Sequence, residues 1–172
     1  MIAQEIGTLL LEQNYTITTA ESCTAGLLSS AIAEVPGASE WFLGGWVTYS
    51  NVLKMSQLGV SKVLLDNYGA VSSDVATAMA QGASEASGSN VALSTTGIAG
   101  PMGGSDEKPV GTVFIGCKVQ DVIQVREFRF LGLRNEVQQL ATQAAIEMLR
   151  LQLICKHVDT LSWQHGEVFH VD

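Results

Sequence analysis

The sequence is poor in cysteine, in proline and in positive charge, and each shortage narrows what the chain can be. Its three cysteines, Cys23, Cys117 and Cys155, are odd in number and form no CxxC pair. A disulfide framework is therefore not expected, and free thiols of a reducing, cytoplasmic setting are. Nine lysines and arginines stand against seventeen acidic residues, a net charge of −8. That balance argues against a nucleic-acid binder, which needs basic surface, but a local pocket can still oppose the global sign and hold a small anion. No apolar run approaches the ~18 residues of a membrane span. No basic segment leads into an apolar block at the start, so neither a membrane partner nor a signal peptide is expected.

What is present is a core-forming chain. Hydrophobic residues make up 47% of its 172 residues and charged residues 15%, a composition that folds rather than stays disordered. No repeat, low-complexity segment or linker divides it, so residues 1–172 read as one domain, with a core over about 2–153 and a surface tail over 156–172.

In chain order, Ile2, Ile6, Leu9 and Leu10 mark one face of an opening helix. Tyr15 to Thr19 alternates and is β-branched, which predicts a strand, and Leu27 to Val35 has helical spacing up to the breakers Pro36-Gly37. A strand is predicted from about Leu43 to Tyr49, with a bulge at Gly44-Gly45. Ser50 or Asn51 then caps a short helix carrying Lys54 in its first turn, and a second short helix covers Ser61 to Tyr68. Ser72-Ser73-Asp74 caps a helix with Val75, Met79, Ala83 and Ala86 on one face, before a strand over Asn90 to Thr95. Val110 to Val119 and Val122 to Phe130 read as a hairpin turning at Gln120-Asp121. The last helix runs from about Asn135 to Ile154, with Val137, Leu140, Ala141, Ala144, Met148 and Leu151 facing the core. Early alternation of strands and helices followed by a hairpin predicts the α/β class, a three-layer α/β/α sandwich around a mixed β-sheet.

Three predicted strand exits are rich in small polar residues: Thr19 to Gly26, Tyr49 to Lys54 and Thr95 to Ser105. Ligands of open α/β sheets collect at such exits. If the three lie on one sheet edge they form one pocket, a condition that spacing leaves open. Ser22 is then either the cap of the following helix or a nucleophile at its start. Lys54 is either a solvated helix lysine or, if buried, a general base. Tyr49 is a half-buried strand end, or it orients the lysine and relays a proton. Amides near Cys23 or Gly97 are candidate oxyanion donors. The loop from Gly97 to Lys108 is no Walker A motif and no dinucleotide fingerprint. It is either a set of stacked turns or a place where backbone approaches a ligand. Trp41, Phe42 and Trp46 are expected in the core or at a subunit contact. His157, His165 and His170 with Cys155 are too irregularly spaced to predict a metal site.

The segments TAESCTAG, WVTYSNVLK, GAVSSDVA and TTGIAGPMGGSDEKPVGTV, in this order and followed by the closing helix, resemble the C-terminal domain of the CinA-type (competence/damage-inducible) proteins in stand-alone form. The resemblance spans roughly residues 2–153. It implies an α/β/α sandwich and a metal-free, cofactor-free serine amidohydrolase that deamidates nicotinamide mononucleotide to nicotinic acid mononucleotide and ammonia. It implies Ser22 as nucleophile, Tyr49, Lys54 and Thr96 as its catalytic companions, and Gly97 to Lys108 as a ligand-binding loop. Substrate contacts are then expected at Glu21, Cys23, Thr24, Gly97, Gly100, Gly103, Gly104, Ser105 and Arg134. The partner expected is a small pyridine nucleotide, with a homodimer as the assembly. One position departs: family members commonly carry a second basic residue near the start of the last helix, where this chain has Gln138 after Arg134. The departure keeps open a nucleotide-binding module without turnover, or hydrolysis of another small amide.

Overall fold

The computed structural model describes residues 2–154. The elements are α1 (Ile2–Glu12), β1 (Ile17–Glu21), α2 (Leu27–Ala33), β2 (Phe42–Val47), α3 (Asn51–Leu58), α4 (Lys62–Tyr68), α5 (Ser73–Ser87), β3 (Val91–Gly97), β4 (Thr112–Val119), β5 (Val122–Arg129) and α6 (Arg134–Ile154). One five-stranded sheet has the order β2-β1-β3-β4-β5. β1 is parallel to both β2 and β3, while β4 runs antiparallel to β3 and β5 antiparallel to β4. The mixed sheet expected from the sequence is therefore present. No helix among the described residues is long and apolar enough to cross a membrane.

The sheet separates two cores. Ile6 and Leu10 of α1, Leu28 and Ile32 of α2, and Val137, Ala145 and Leu149 of α6 pack with Ile17, Leu93 and Ile115 on one face. Leu58 of α3, Leu65 of α4, and Val75, Met79, Ala80 and Ala83 of α5 pack with Ala20 and Ala92 on the other. Alternate residues of β1 and β3 thus feed opposite layers, and both strands are buried along almost their whole length.

Serines set the starts of three helices. Ser50, Ser61 and Ser72 each accept a hydrogen bond from the amide three residues on, at Leu53, Leu64 and Val75. Several boundaries differ from expectation for physical reasons. In the β1–β2 ladder, Ile17 faces Phe42 but Thr18 faces Gly44, so the extra residue is Leu43, just before the predicted Gly44-Gly45. β2 stops at Val47 rather than Tyr49, because beyond it the chain turns to carry α3. Ile2 and Ala86 are exposed: the buried stripe of α1 is Ile6, Gly7 and Leu10, and that of α5 is Val75, Ala76, Met79, Ala80, Ala83 and Ser84. α6 buries Ile146, Leu149 and Leu153, while Leu140, Ala144 and Leu151 are half-buried, since it packs on α1 and α2 as well as on the sheet. Trp41 is 2% exposed and lies against Gly7 in this chain, so it is a core residue and not a subunit contact. The tail and its three histidines lie outside the described residues.

Candidate active site

Parallel pairing settles the condition that the sequence left open. β2, β1 and β3 end on the same sheet edge, with Glu21 in register with Val47 on one side and Thr95 on the other. The pairing extends past the strands: Ser22 N–H donates to Thr95 O at 2.9 Å and Thr48 N–H to Glu21 O at 2.8 Å. Ser22, Thr48 and Thr96 therefore lie together at one edge of the sheet.

There, the Lys54 amine lies 2.9 Å from the Ser22 hydroxyl oxygen. The same amine reaches Thr48 O at 2.8 Å and Tyr49 O at 3.5 Å. Lys54 is 1% exposed and Ser22 9%. Burial strips water from the ammonium and lowers the Lys54 pKa to about 8, a little offset by the neighbouring Cys23. A neutral amine has two N–H groups and one lone pair. The two carbonyls can accept the N–H groups, which leaves the lone pair facing the Ser22 hydroxyl. Cys23, next in sequence, is no rival nucleophile: burial pushes its thiol pKa up to about 12 and leaves 4% of it exposed.

Ser22 is not the cap of α2. The helix begins five residues later, after a turn in which Ala25 (φ 53°) and Gly26 (φ 101°) are left-handed. Glu21 fills the capping role instead. One of its carboxylate oxygens accepts from Thr24 Oγ1 (2.7 Å), Gly26 N (2.9 Å) and Leu28 N (3.0 Å). The other accepts from Ser29 N (2.8 Å) and Ser29 Oγ (2.7 Å). The helix start is thus occupied by the protein's own carboxylate and offers nothing to a substrate anion. Glu21 and Thr24 are fully buried, so the substrate contact expected of them is corrected to support of the turn. The amide of Ala25 is taken by Ser22 O, and that of Ile98, next to Gly97, by Thr112 O.

Tyr49 also differs from expectation. Only its carbonyl approaches Lys54. Its side chain is 56% exposed, and its hydroxyl accepts from Arg134 Nη2 at 2.8 Å. Thr96 is buried and its hydroxyl donates to Ala70 O at 2.6 Å, rather than to Ser22 or Lys54. Arg134 bridges the mouth, its Nη1 donating to Gly100 O at 2.9 Å. Gln138 donates to Cys23 O at 2.7 Å, tying α6 to the Ser22 turn. In the glycine-rich loop, Gly100 is buried, Gly97 half-buried, and Gly103, Gly104 and Ser105 are exposed. Ser105 Oγ accepts from Lys108 N at 3.1 Å, closing the loop's own turn. Sequence reasoning missed Thr48, whose carbonyl holds the lysine, because a backbone acceptor leaves no mark in side-chain identity. No group of three or more His, Cys, Asp or Glu able to hold a metal occurs among the described residues.

Comparison with known proteins shows the family. The family model described as "CinA C-terminal domain" matches residues 1–153. A CinA-like protein of Geotalea daltonii is 51% identical over 141 residues, covering 82% of this chain and 34% of that protein. A protein of Clostridium acetobutylicum whose name refers to competence-damage induction is 46% identical over 149 residues, 87% of this chain and 36% of that one. The chain thus spans about a third of the length of these curated relatives. Among solved structures, the competence/damage inducible protein CihA of Agrobacterium tumefaciens is 40% identical with a TM-score of 0.84, covering 89% of this chain and 93% of that one. A CinA superfamily protein of Enterobacter cloacae is 29% identical with a TM-score of 0.86, covering 88% of this chain and 90% of that one.

Proposed function

The chain belongs to the CinA C-terminal domain family, and from its site we propose an amidohydrolase that deamidates nicotinamide mononucleotide. The observation that carries the reading is the 2.9 Å approach of a buried, pKa-lowered lysine to a buried serine hydroxyl. The carboxamide substrate comes from the family resemblance.

In the reaction, Ser22 Oγ bonds to the carboxamide carbon while its proton passes to Lys54. Collapse of the tetrahedral intermediate breaks the C–N bond, and Lys54 returns the proton to the departing nitrogen, releasing ammonia. Water then attacks the acyl carbon, again losing a proton to Lys54, and the acid leaves with Ser22 restored. The amide of Cys23, directly beyond the nucleophile, is the candidate donor to the oxyanion. Arg134, the guanidinium at the mouth, is the candidate phosphate contact. A lysine with a pKa of about 8 is neutral in about a tenth of molecules at pH 7. Activity therefore rises with pH, about tenfold per unit well below 8, and levels off above it.

The test is ammonia release from nicotinamide mononucleotide by the purified chain, expected in the unaltered protein and abolished in Ser22→Ala. Undiminished release by Ser22→Ala would rule out this mechanism. Gln138 favours a second reading, since its side chain is spent on Cys23 O where family members commonly carry a basic residue. On that reading the pocket binds the nucleotide without turnover, and thermal stabilisation by the nucleotide with no ammonia is the expected outcome. Release of ammonia only from other carboxamides would assign the same chemistry to a different substrate.

A further inference from the structure

Glu21 is fully buried, yet no basic side chain pairs with it among the described residues. A lone buried carboxylate is unfavourable unless hydrogen bonds replace its lost water. Here five donors do so, and all belong to the stretch Thr24 to Ser29. That stretch contains the left-handed pair Ala25 and Gly26, a conformation that a non-glycine residue adopts only when its surroundings dictate it. The network is closed on its far side. Ser29 Oγ also bonds Thr19 Oγ1 at 2.7 Å, and Gly45 leaves the room, since a Cβ there would stand 1.9 Å from Thr19 Oγ1.

The main chain of Glu21 serves the other half of the site. Its carbonyl accepts from Thr48 N–H, and Thr48 O in turn holds the Lys54 amine. Two hydrogen bonds thus separate Glu21 from the base, and one peptide bond separates it from the nucleophile. The lowered pKa of Lys54 comes from burial, with Cys23 opposing, so the Glu21 charge is not what tunes the amine.

We propose that Glu21 is a positioning residue, whose carboxylate fixes the Ser22–Gly26 turn so that the Ser22 hydroxyl faces the Lys54 amine. This rests on the reading of Ser22 as nucleophile. A carboxylate, with two accepting oxygens, is needed. Glutamine would place its NH₂ against either the Gly26 and Leu28 amides or the Ser29 amide, donor against donor.

The test is independent of any natural substrate. The full chain is treated with an alkyl fluorophosphonate. Ser22 Oγ forms a bond to phosphorus, the P–F bond breaks, fluoride leaves and the hydroxyl proton passes to Lys54. Intact mass and peptide mapping follow the adduct across reagent concentration and pH. In Glu21→Gln, per folded molecule, the saturating labelling rate is expected to fall about 100-fold. The half-saturating concentration and the pH midpoint are expected to stay as in the unaltered chain, a split that general loosening of the fold would not give. Labelling of Glu21→Gln at the unaltered rate overturns the proposal and leaves the nucleophile standing. Absence of any Ser22 adduct in the unaltered chain overturns the nucleophile, and the proposal with it. Should Glu21→Gln fail to fold, Ser29→Ala, which removes one side-chain donor, decides. A several-fold slower labelling at an unchanged melting temperature supports positioning, and an unchanged rate overturns it.

Discussion

The two walls of the crevice are built in opposite ways. The wall carrying Ser22 is buried and closed, its turn held by five hydrogen bonds to one carboxylate and by Gln138 from α6. The other wall is the loop over 98–111 that leaves the end of β3, whose segment 101–107 is exposed and which is tied down by long side chains at its margins. Arg134 holds Gly100 O, Lys108 holds Tyr68 O and Arg129 holds Glu107 O. A bond-making group must be held to within a fraction of an ångström, which calls for the first construction. A loop that admits and releases a ligand suits the second. On the proposed reading, chemistry belongs to the closed wall and recognition to the open one.

Substitutions can break that division, and their effects should descend in order. Ser22→Ala, on the closed wall, and Lys54→Met, on α3 opposite it, are expected to lower ammonia release by at least about 1,000-fold with a native circular dichroism spectrum. Gly82→Ala comes next. A Cβ there would stand 1.9 Å from Leu58 O, so α3 must shift away from α5 and take Lys54 with it. A loss of about 2 kcal/mol in urea unfolding is expected, together with reduced activity. Arg134→Ala, on the open wall, should raise KM about 10- to 100-fold while kcat changes little and stability stays within about 0.5 kcal/mol. The smallest effect is expected of Tyr49→Phe, about threefold or less in kcat, because its hydroxyl meets Arg134 and not the lysine. A loss near 100-fold in kcat would return Tyr49 to the proton path and erase the distinction between the walls.

The sequence showed the closed wall less well than the open one. Helix and strand periods, serine caps and the hairpin were legible because they depend on near neighbours, and the α/β/α layering followed from their order. Ser22 and Lys54 were visible as candidates, but their meeting depends on β1 and β2 being parallel neighbours, a long-range pairing that no local pattern encodes. Glu21 was expected as a ligand contact from the resemblance alone, and only the folded turn shows its oxygens filled from Thr24 to Ser29. The direction of Tyr49 was not legible, because strand alternation does not tell which way a side chain leaves once the strand has ended. Ala86 and Leu140 show the same limit in helices: period gives a stripe, and packing partners set its width.

Titration of the Lys54 amine, followed by ¹⁵N NMR of the side-chain nitrogens in lysine-labelled protein with Lys54→Met for assignment, tests the shared premise of these arguments most directly. A midpoint of about 8 is expected, the amine becoming neutral as pH rises through that value. A midpoint near 10.5, the ordinary value, would show a solvated ammonium beside Ser22 and would contradict the account of this site as a serine–lysine pair.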